Sequence, residues 1–121
     1  VVHGDVKPGN VLGTSGRRFK LADFGTARKP GPAPVDGGTV EGSWPYTAPE
    51  CFDGPGDARS DVYSLGLTLV HALTGTIPIS AVGYGACRAA HASLVLDPLH
   101  WTVPGIGTRA SDWIRRMTAT D

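Results

Sequence analysis

The chain has 121 residues and a mass of 12.6 kDa, enough for one ordinary domain and too little for two. Its 11 basic and 11 acidic residues cancel, with a pI near 7.1, which argues against a nucleic-acid footprint and against a polybasic membrane patch. Cys51 and Cys87 lack the paired short spacings of a zinc site or a disulfide framework, so both read as free buried thiols in a reduced intracellular setting.

The opening stretch "VVHGDVKPGNVL" carries His3, Asp5, Lys7 and Asn10 at close spacing around small residues. A carboxylate and a carboxamide on one glycine-containing loop can converge on a point, Asp5 as proton acceptor and Asn10 as metal ligand. Hard cations such as Mg²⁺ prefer oxygen donors of this kind. Lys7 between them offers a compact positive charge that can balance a transferring phosphoryl group.

Next come "NVL" and "RFKLAD", two β-prone runs separated by "GTSG", which predict a small hairpin with a tight turn. "DFG" follows the second run, so Asp23 can bring a second carboxylate to the same metal. From Gly25 to Gly42 the chain is rich in Pro and Gly without apolar periodicity, which predicts a long surface loop.

"SDVYSLGLTLVHALTG" is the clearest helix, with Ser60 as N-cap, Asp61 at the positive end of the dipole and Gly75 closing the C-terminus. Val62, Leu65, Leu69, Val70 and Leu73 recur at helical spacing, and Leu67 and Ala72 widen the stripe, so the helix is expected to be central and buried. Its apolar core "LGLTLVHALTG" is well short of the roughly 20 residues that span a bilayer. "ACRAAHASLVL" and "RASDWIRRMTA" predict two further helices, the last with Ala110, Trp113, Ile114 and Met117 on its apolar face. The expected architecture is mainly α with one small β-hairpin.

Singly these motifs are weak; their order is specific. "HGDVKPGN", "DFG" and "APE" follow one another as the protein-kinase signatures His-Arg-Asp-Leu-x-x-x-Asn, Asp-Phe-Gly and Ala-Pro-Glu do. The chain resembles the C-terminal lobe of a eukaryotic-like serine/threonine protein kinase, and the resemblance runs over essentially all of residues 1–121. "GSWPYTAPE" is similar to the family's substrate-receiving segment, and "SDVYSLG" to the start of its central helix. Lys7 followed by Pro8, with Ser43 further on, is the serine/threonine form rather than the tyrosine form.

The resemblance implies transfer of the γ-phosphate of ATP to a Ser or Thr hydroxyl of a protein, with ATP and Mg²⁺ as cofactors. It makes Asp5 the base or orienter for that hydroxyl, Lys7 a stabiliser of the γ-phosphate, and Asn10 and Asp23 the Mg²⁺ ligands. Ser43 would contact Asp5 and Lys7, Asp61 would hold the backbone of the catalytic loop, and His3 and Phe24 would be packing residues. Glu50 pairs in the family with a late arginine; Arg109, Arg115 and Arg116 are stand-ins here, although a solvated helix face explains them better.

The chain also departs from the pattern. Gly4 stands where many such kinases have the arginine that reads a phosphate on the activation loop. It therefore predicts either independence from phosphorylation at Thr39 or simply a tight backbone turn. "HGD" with Asn at the same spacing also resembles aminoglycoside and choline phosphotransferases, which lack counterparts of "APE" and "DVYSLG".

There is no glycine-rich phosphate loop and no Val-Ala-x-Lys strand, so the N-terminal lobe is expected to be absent and the domain partial, cut at both ends. On that basis the isolated chain is expected to be inactive, or to be a non-catalytic kinase remnant that acts as a binding module. The expected location is cytoplasmic, with attachment of a longer chain to a membrane left open. His71, His91 and His100 read as core or surface residues, Trp44, Trp101 and Trp113 as core or loop anchors, and Arg28 and Lys29 as a solvated basic pair.

Overall fold

A computed structural model describes residues 1–16, 18–29 and 43–120. Residues 30–42 of the expected Gly25–Gly42 loop, with Thr39, lie outside the described residues. Helices dominate the regular structure, and the described residues contain a single two-stranded antiparallel sheet.

The predicted hairpin forms from β1 (Val11–Thr14) and β2 (Arg18–Leu21), in the register Val11↔Leu21 to Thr14↔Arg18. Gly16 takes φ +94° in the connection, a conformation open to glycine without the Cβ penalty of other residues. The chain does not pass straight from the hairpin into open loop. Phe24–Thr26 forms a 3₁₀ turn, and Arg28 then pairs with Val2 as a short antiparallel bridge, with N–H···O distances of 2.8 and 2.9 Å.

The central helix α1 runs Ala58–Thr74, starting earlier than the sequence suggests. Asp57 is the N-cap, accepting from the Arg59 amide at 2.7 Å, while the Ser60 hydroxyl accepts from the Asp57 amide at 3.0 Å. Ser60 is therefore the reciprocal member of a capping box rather than the cap itself. At the other end Gly75, at φ +71°, donates to the His71 carbonyl at 2.8 Å and closes the helix as expected.

The buried face of α1 matches the apolar stripe only at Leu67 and Val70. It consists of Ser60, Tyr63, Ser64, Gly66, Leu67, Thr68 and Val70, whereas Val62, Leu65 and Leu73 are 45%, 38% and 40% exposed. Two facts account for the rotation. The hydroxyls of Ser64 and Thr68 donate to the carbonyls four residues back, at 3.0 and 2.8 Å, so they enter the interior already satisfied. Gly66, with no side chain, lets α3 (Thr108–Met117) and the residue after it approach closely; a Cβ there would lie 2.7 Å from Thr118 Cγ2. Val62 and Leu65 instead line an apolar cavity of about 320 Å³ against Val6, Val11, Phe19 and Leu21.

The helix α2 spans Tyr84–Ala92, so "SLVL" falls outside it. On α3 the buried residues are Ser111 and Ile114, followed by Thr118, while Trp113 is 64% exposed and Trp101 is also exposed. The atoms that face Gly66 are Thr118 Cγ2, Met117 Cβ and the Ile114 carbonyl oxygen, and none belongs to Trp113. Three apolar clusters flank α1: Ala48 with Tyr63 and Leu67, Phe52 with Ile79 and Cys87, and Val70 with Leu99 and Ile114. No described helix is long and apolar enough to cross a membrane.

Candidate active site

Asp61, in the first turn of α1, organises the opening loop. Its carboxylate accepts from the backbone amides of His3 at 2.7 Å and Gly4 at 2.9 Å, anchoring residues 58 and 57 positions away in sequence. Gly4 takes φ +80°, and a Cβ there would sit 3.3 Å from the Thr26 carbonyl oxygen. Of the two sequence readings of Gly4, this geometry supplies the reason for the backbone one.

The His3 ring is buried. Its Nε2 lies 3.1 Å from the Ala22 carbonyl, which can only accept, so Nε2 carries the proton and Nδ1 receives the Asp5 amide at 3.3 Å. Phe24 meets this ring edge-on at 4.9 Å, and the Thr26 hydroxyl donates to the His3 carbonyl at 2.8 Å. Loop and "DFG" turn are thus tied together through one histidine.

Asp5, Lys7, Asn10 and Ser43 converge. Lys7 Nζ lies 2.8 Å from Asp5 Oδ2 and donates to Ser43 Oγ at 2.8 Å. Asn10, held in the 3₁₀ turn Pro8–Asn10, donates its amide to the Asp5 carbonyl at 2.8 Å and to Asp5 Oδ2 at 3.0 Å. Asp5 Oδ1 is buried and has no hydrogen-bond partner among the described residues. Burial pushes the Asp5 carboxyl up, but its polar neighbours Lys7, Ser43 and Asn10 and the Lys7 charge outweigh it and hold the group below the ordinary carboxylate value. The carboxylate is ionised at neutral pH and presents one free acceptor oxygen.

Asp23 stands at the base of the hairpin, where the Ala22 amide donates to the Asn10 carbonyl at 2.8 Å. It is the one non-glycine residue with positive φ, +61°, among the described residues, a conformation that Asp tolerates at a cost of about 1–3 kcal/mol. Its exposed carboxylate accepts from the Gly25 amide at 3.3 Å and bonds to none of Asp5, Lys7 or Asn10. Among the described residues no three His, Cys, Asp or Glu side chains gather as a metal site. The donor set still suits Mg²⁺, which keeps several waters and takes one or two protein oxygens with substrate phosphates. Asn10 has spent its amide on Asp5 and has its carbonyl oxygen to offer, and Asp23 has its carboxylate.

The segment from Ser43 is built on two turns, Trp44–Tyr46 and Pro49–Phe52. Ser43 accepts from the Tyr46 amide at 3.0 Å and from the Thr47 hydroxyl at 3.1 Å. Glu50 is paired with Ser60, whose hydroxyl donates to it at 2.6 Å, rather than with any of the three late arginines. Arg28 is not a free surface charge: it is half-buried and its guanidinium donates to the carbonyls of Pro55 and Gly56, the latter at 2.6 Å. Neither contact has a sequence signature, since both depend on the fold of the 53–57 connection.

On the far side of this segment, His91 from α2 is fully buried. Its ring nitrogens lie 2.7 Å from the Tyr63 hydroxyl and 2.7 Å from the Trp44 carbonyl. Burial lowers its affinity for a proton, against a smaller opposing effect of the Trp44 carbonyl. Its titratable surroundings are Tyr63, whose own proton is held more tightly through burial and the Glu50 charge, and Cys87 on the same helix. With a depressed folded-state pKa, the unfolded chain binds the proton first. Stability is therefore expected to be complete above about pH 6.5 and to fall below it, and denaturant titrations from pH 7.5 to 5 should show that slope flattened in His91→Gln.

The pattern of the protein kinase domain family matches residues 1–97. Among curated relatives, the serine/threonine-protein kinase PknJ of Mycobacterium tuberculosis is 39% identical over 125 residues, covering 98% of this chain and 20% of its own length. PknL of the same organism is 40% identical over 99 residues, covering 80% of this chain and 24% of its own, and PknK is 49% identical over 75 residues, covering 61% and 7%. The chain belongs to the protein kinase domain family, in its eukaryotic-like serine/threonine branch. It spans a quarter or less of the length of these relatives.

Proposed function

We propose that residues 1–121 form the C-terminal-lobe part of a protein kinase domain that transfers the γ-phosphate of ATP to a Ser or Thr hydroxyl of a protein substrate inside the cell. The observation that carries this reading is the Lys7 ammonium, which bridges Asp5 Oδ2 and Ser43 Oγ while Asp5 Oδ1 is left buried and unpaired. A substrate hydroxyl would satisfy that oxygen. Held below the ordinary carboxylate value, Asp5 is suited to orienting the hydroxyl and accepting its proton late, rather than abstracting it beforehand.

Lys7 would balance charge on the transferring group, and Ser43 would keep the ammonium aimed at the Asp5 carboxylate. Asn10 and Asp23 would hold Mg²⁺, which when bound supplies charge neutralisation to the phosphates. His3, Phe24 and Asp61 would keep the two loops in register, and the Glu50–Ser60 pair would brace the substrate segment. Catalysis in such a site is mainly positioning and electrostatic stabilisation. These residues include no glycine-rich loop to cover the phosphates, so ATP is held jointly with an N-terminal lobe and the chain alone is inactive.

Asp23→Ala in the full-length protein is the test of the metal assignment. Mg²⁺-dependent transfer is expected to fall by about a thousandfold, with the helical signal in circular dichroism unchanged. Retained transfer would refute the assignment, and a wild-type protein that phosphorylates no protein at all would leave the domain as a binding module.

A further inference from the structure

We infer that His91 is a positioning residue that fixes the Ser43–Thr47 turn from behind and so sets where the Ser43 hydroxyl meets Lys7. The inference rests on the phosphotransfer reading for its functional consequence, and on contacts alone for its structural one.

The Trp44 carbonyl can only accept, so the 2.7 Å contact places the proton on His91 Nε2. Nδ1 is then an acceptor, and the Tyr63 hydroxyl donates to it at 2.7 Å. The ring is thereby fixed in tautomer and rotation by α1 on one side and the turn on the other, and it packs against the rings of Phe52 and Tyr63, each 5.6 Å away. One peptide unit separates the bonded carbonyl from Ser43, whose Oγ is 2.8 Å from Lys7 Nζ. The same carbonyl also accepts from the Thr47 amide at 3.2 Å, so the histidine bond and the turn's own bond share an atom.

A second tether runs parallel to the first. Tyr84, at the start of α2, donates its hydroxyl to the Phe52 carbonyl and meets Trp44 edge-on at 6.1 Å. One helix therefore holds both ends of the Trp44–Phe52 segment, Tyr84 at Phe52 and His91 at Trp44. Of the two, His91 is the one hydrogen-bonded to the backbone next to Ser43; Tyr84 meets Trp44 through its ring alone.

The test uses the full-length protein and compares wild type with His91→Phe and His91→Gln. Phenylalanine keeps bulk but leaves the Tyr63 hydroxyl unsatisfied and the Trp44 carbonyl with its Thr47 bond alone, whereas glutamine restores an N–H donor at similar reach. Hydrogen exchange at the Tyr46 and Thr47 amides is expected to accelerate about tenfold in His91→Phe, with a rise in peptide KM larger than the fall in kcat. Amides inside α1 stay protected, and His91→Gln returns both readouts to within about twofold of wild type.

Unchanged exchange in His91→Phe, or equal exchange in the Phe and Gln variants, overturns the inference. Should His91→Phe also expose α1, Tyr63→Phe decides, because it deletes only the hydroxyl that holds Nδ1. About threefold faster exchange at Tyr46 and Thr47 then supports the inference, and no change overturns it. A wild-type protein that transfers no phosphate but shows the exchange pattern keeps the His91 hold and removes the phosphotransfer reading.

Discussion

Asp5→Asn in the full-length protein is expected to lower kcat by about a thousandfold while leaving the fold intact. The substitution is nearly isosteric, so packing around the 10% exposed side chain survives. The charge does not. Lys7 loses its partner at 2.8 Å, and an amide N–H₂ must point either at the Lys7 ammonium and the Asn10 amide or into the position where the free Oδ1 now stands. In the first orientation donors face donors; in the second the acceptor proposed for the substrate hydroxyl is gone. Turnover within about tenfold of wild type would mean that Asp5 neither orients nor accepts.

Gly66→Leu is expected to destabilise the domain by about 3 kcal/mol or more, measured as a shift of the urea midpoint with unchanged slope. A Cβ alone would stand 2.7 Å from Thr118 Cγ2 and 3.0 Å from Met117 Cβ, and leucine adds three further carbons along that line. Two helices packed at this distance can accept them only by separating, which opens the Val70–Leu99–Ile114 cluster beside the contact. Gly66→Ala sets the gain in helix propensity, up to about 1 kcal/mol, against the same first clash, so its loss should be smaller. A Leu variant as stable as wild type would show that α1 and α3 are not in close contact.

The hairpin and the end of α1 were legible because local rules govern them: β-prone runs around a glycine turn, and a glycine free to take positive φ. The face of α1 was legible only at Leu67 and Val70. Periodicity assigned burial to Val62, Leu65 and Leu73, whereas Ser64, Gly66 and Thr68 are buried, since intrahelical hydroxyl bonds and one missing side chain carry no hydrophobic signal. The same limit applies to Trp113, which the sequence assigned to the apolar face of α3 and which lies exposed.

At the site, motif spacing singled out Asp5, Lys7, Asn10, Ser43 and Asp23, and the structure joins the first four by hydrogen bonds while Asp23 stays apart from them. The second layer was invisible beforehand. Ser60 to Glu50, Arg28 to the Pro55 and Gly56 carbonyls, and His91 to Trp44 each link residues brought together only by tertiary folding. A buried histidine in particular has no pattern that separates it from a surface one.

The most direct measurement is phosphoamino-acid analysis of a protein acceptor incubated with the full-length protein and γ-labelled ATP, with an aminoglycoside offered in the same reaction. Label on serine or threonine of the protein, lost in Asp5→Asn, is the result predicted. Label confined to the aminoglycoside, or protein label that persists undiminished in Asp5→Asn, would contradict it.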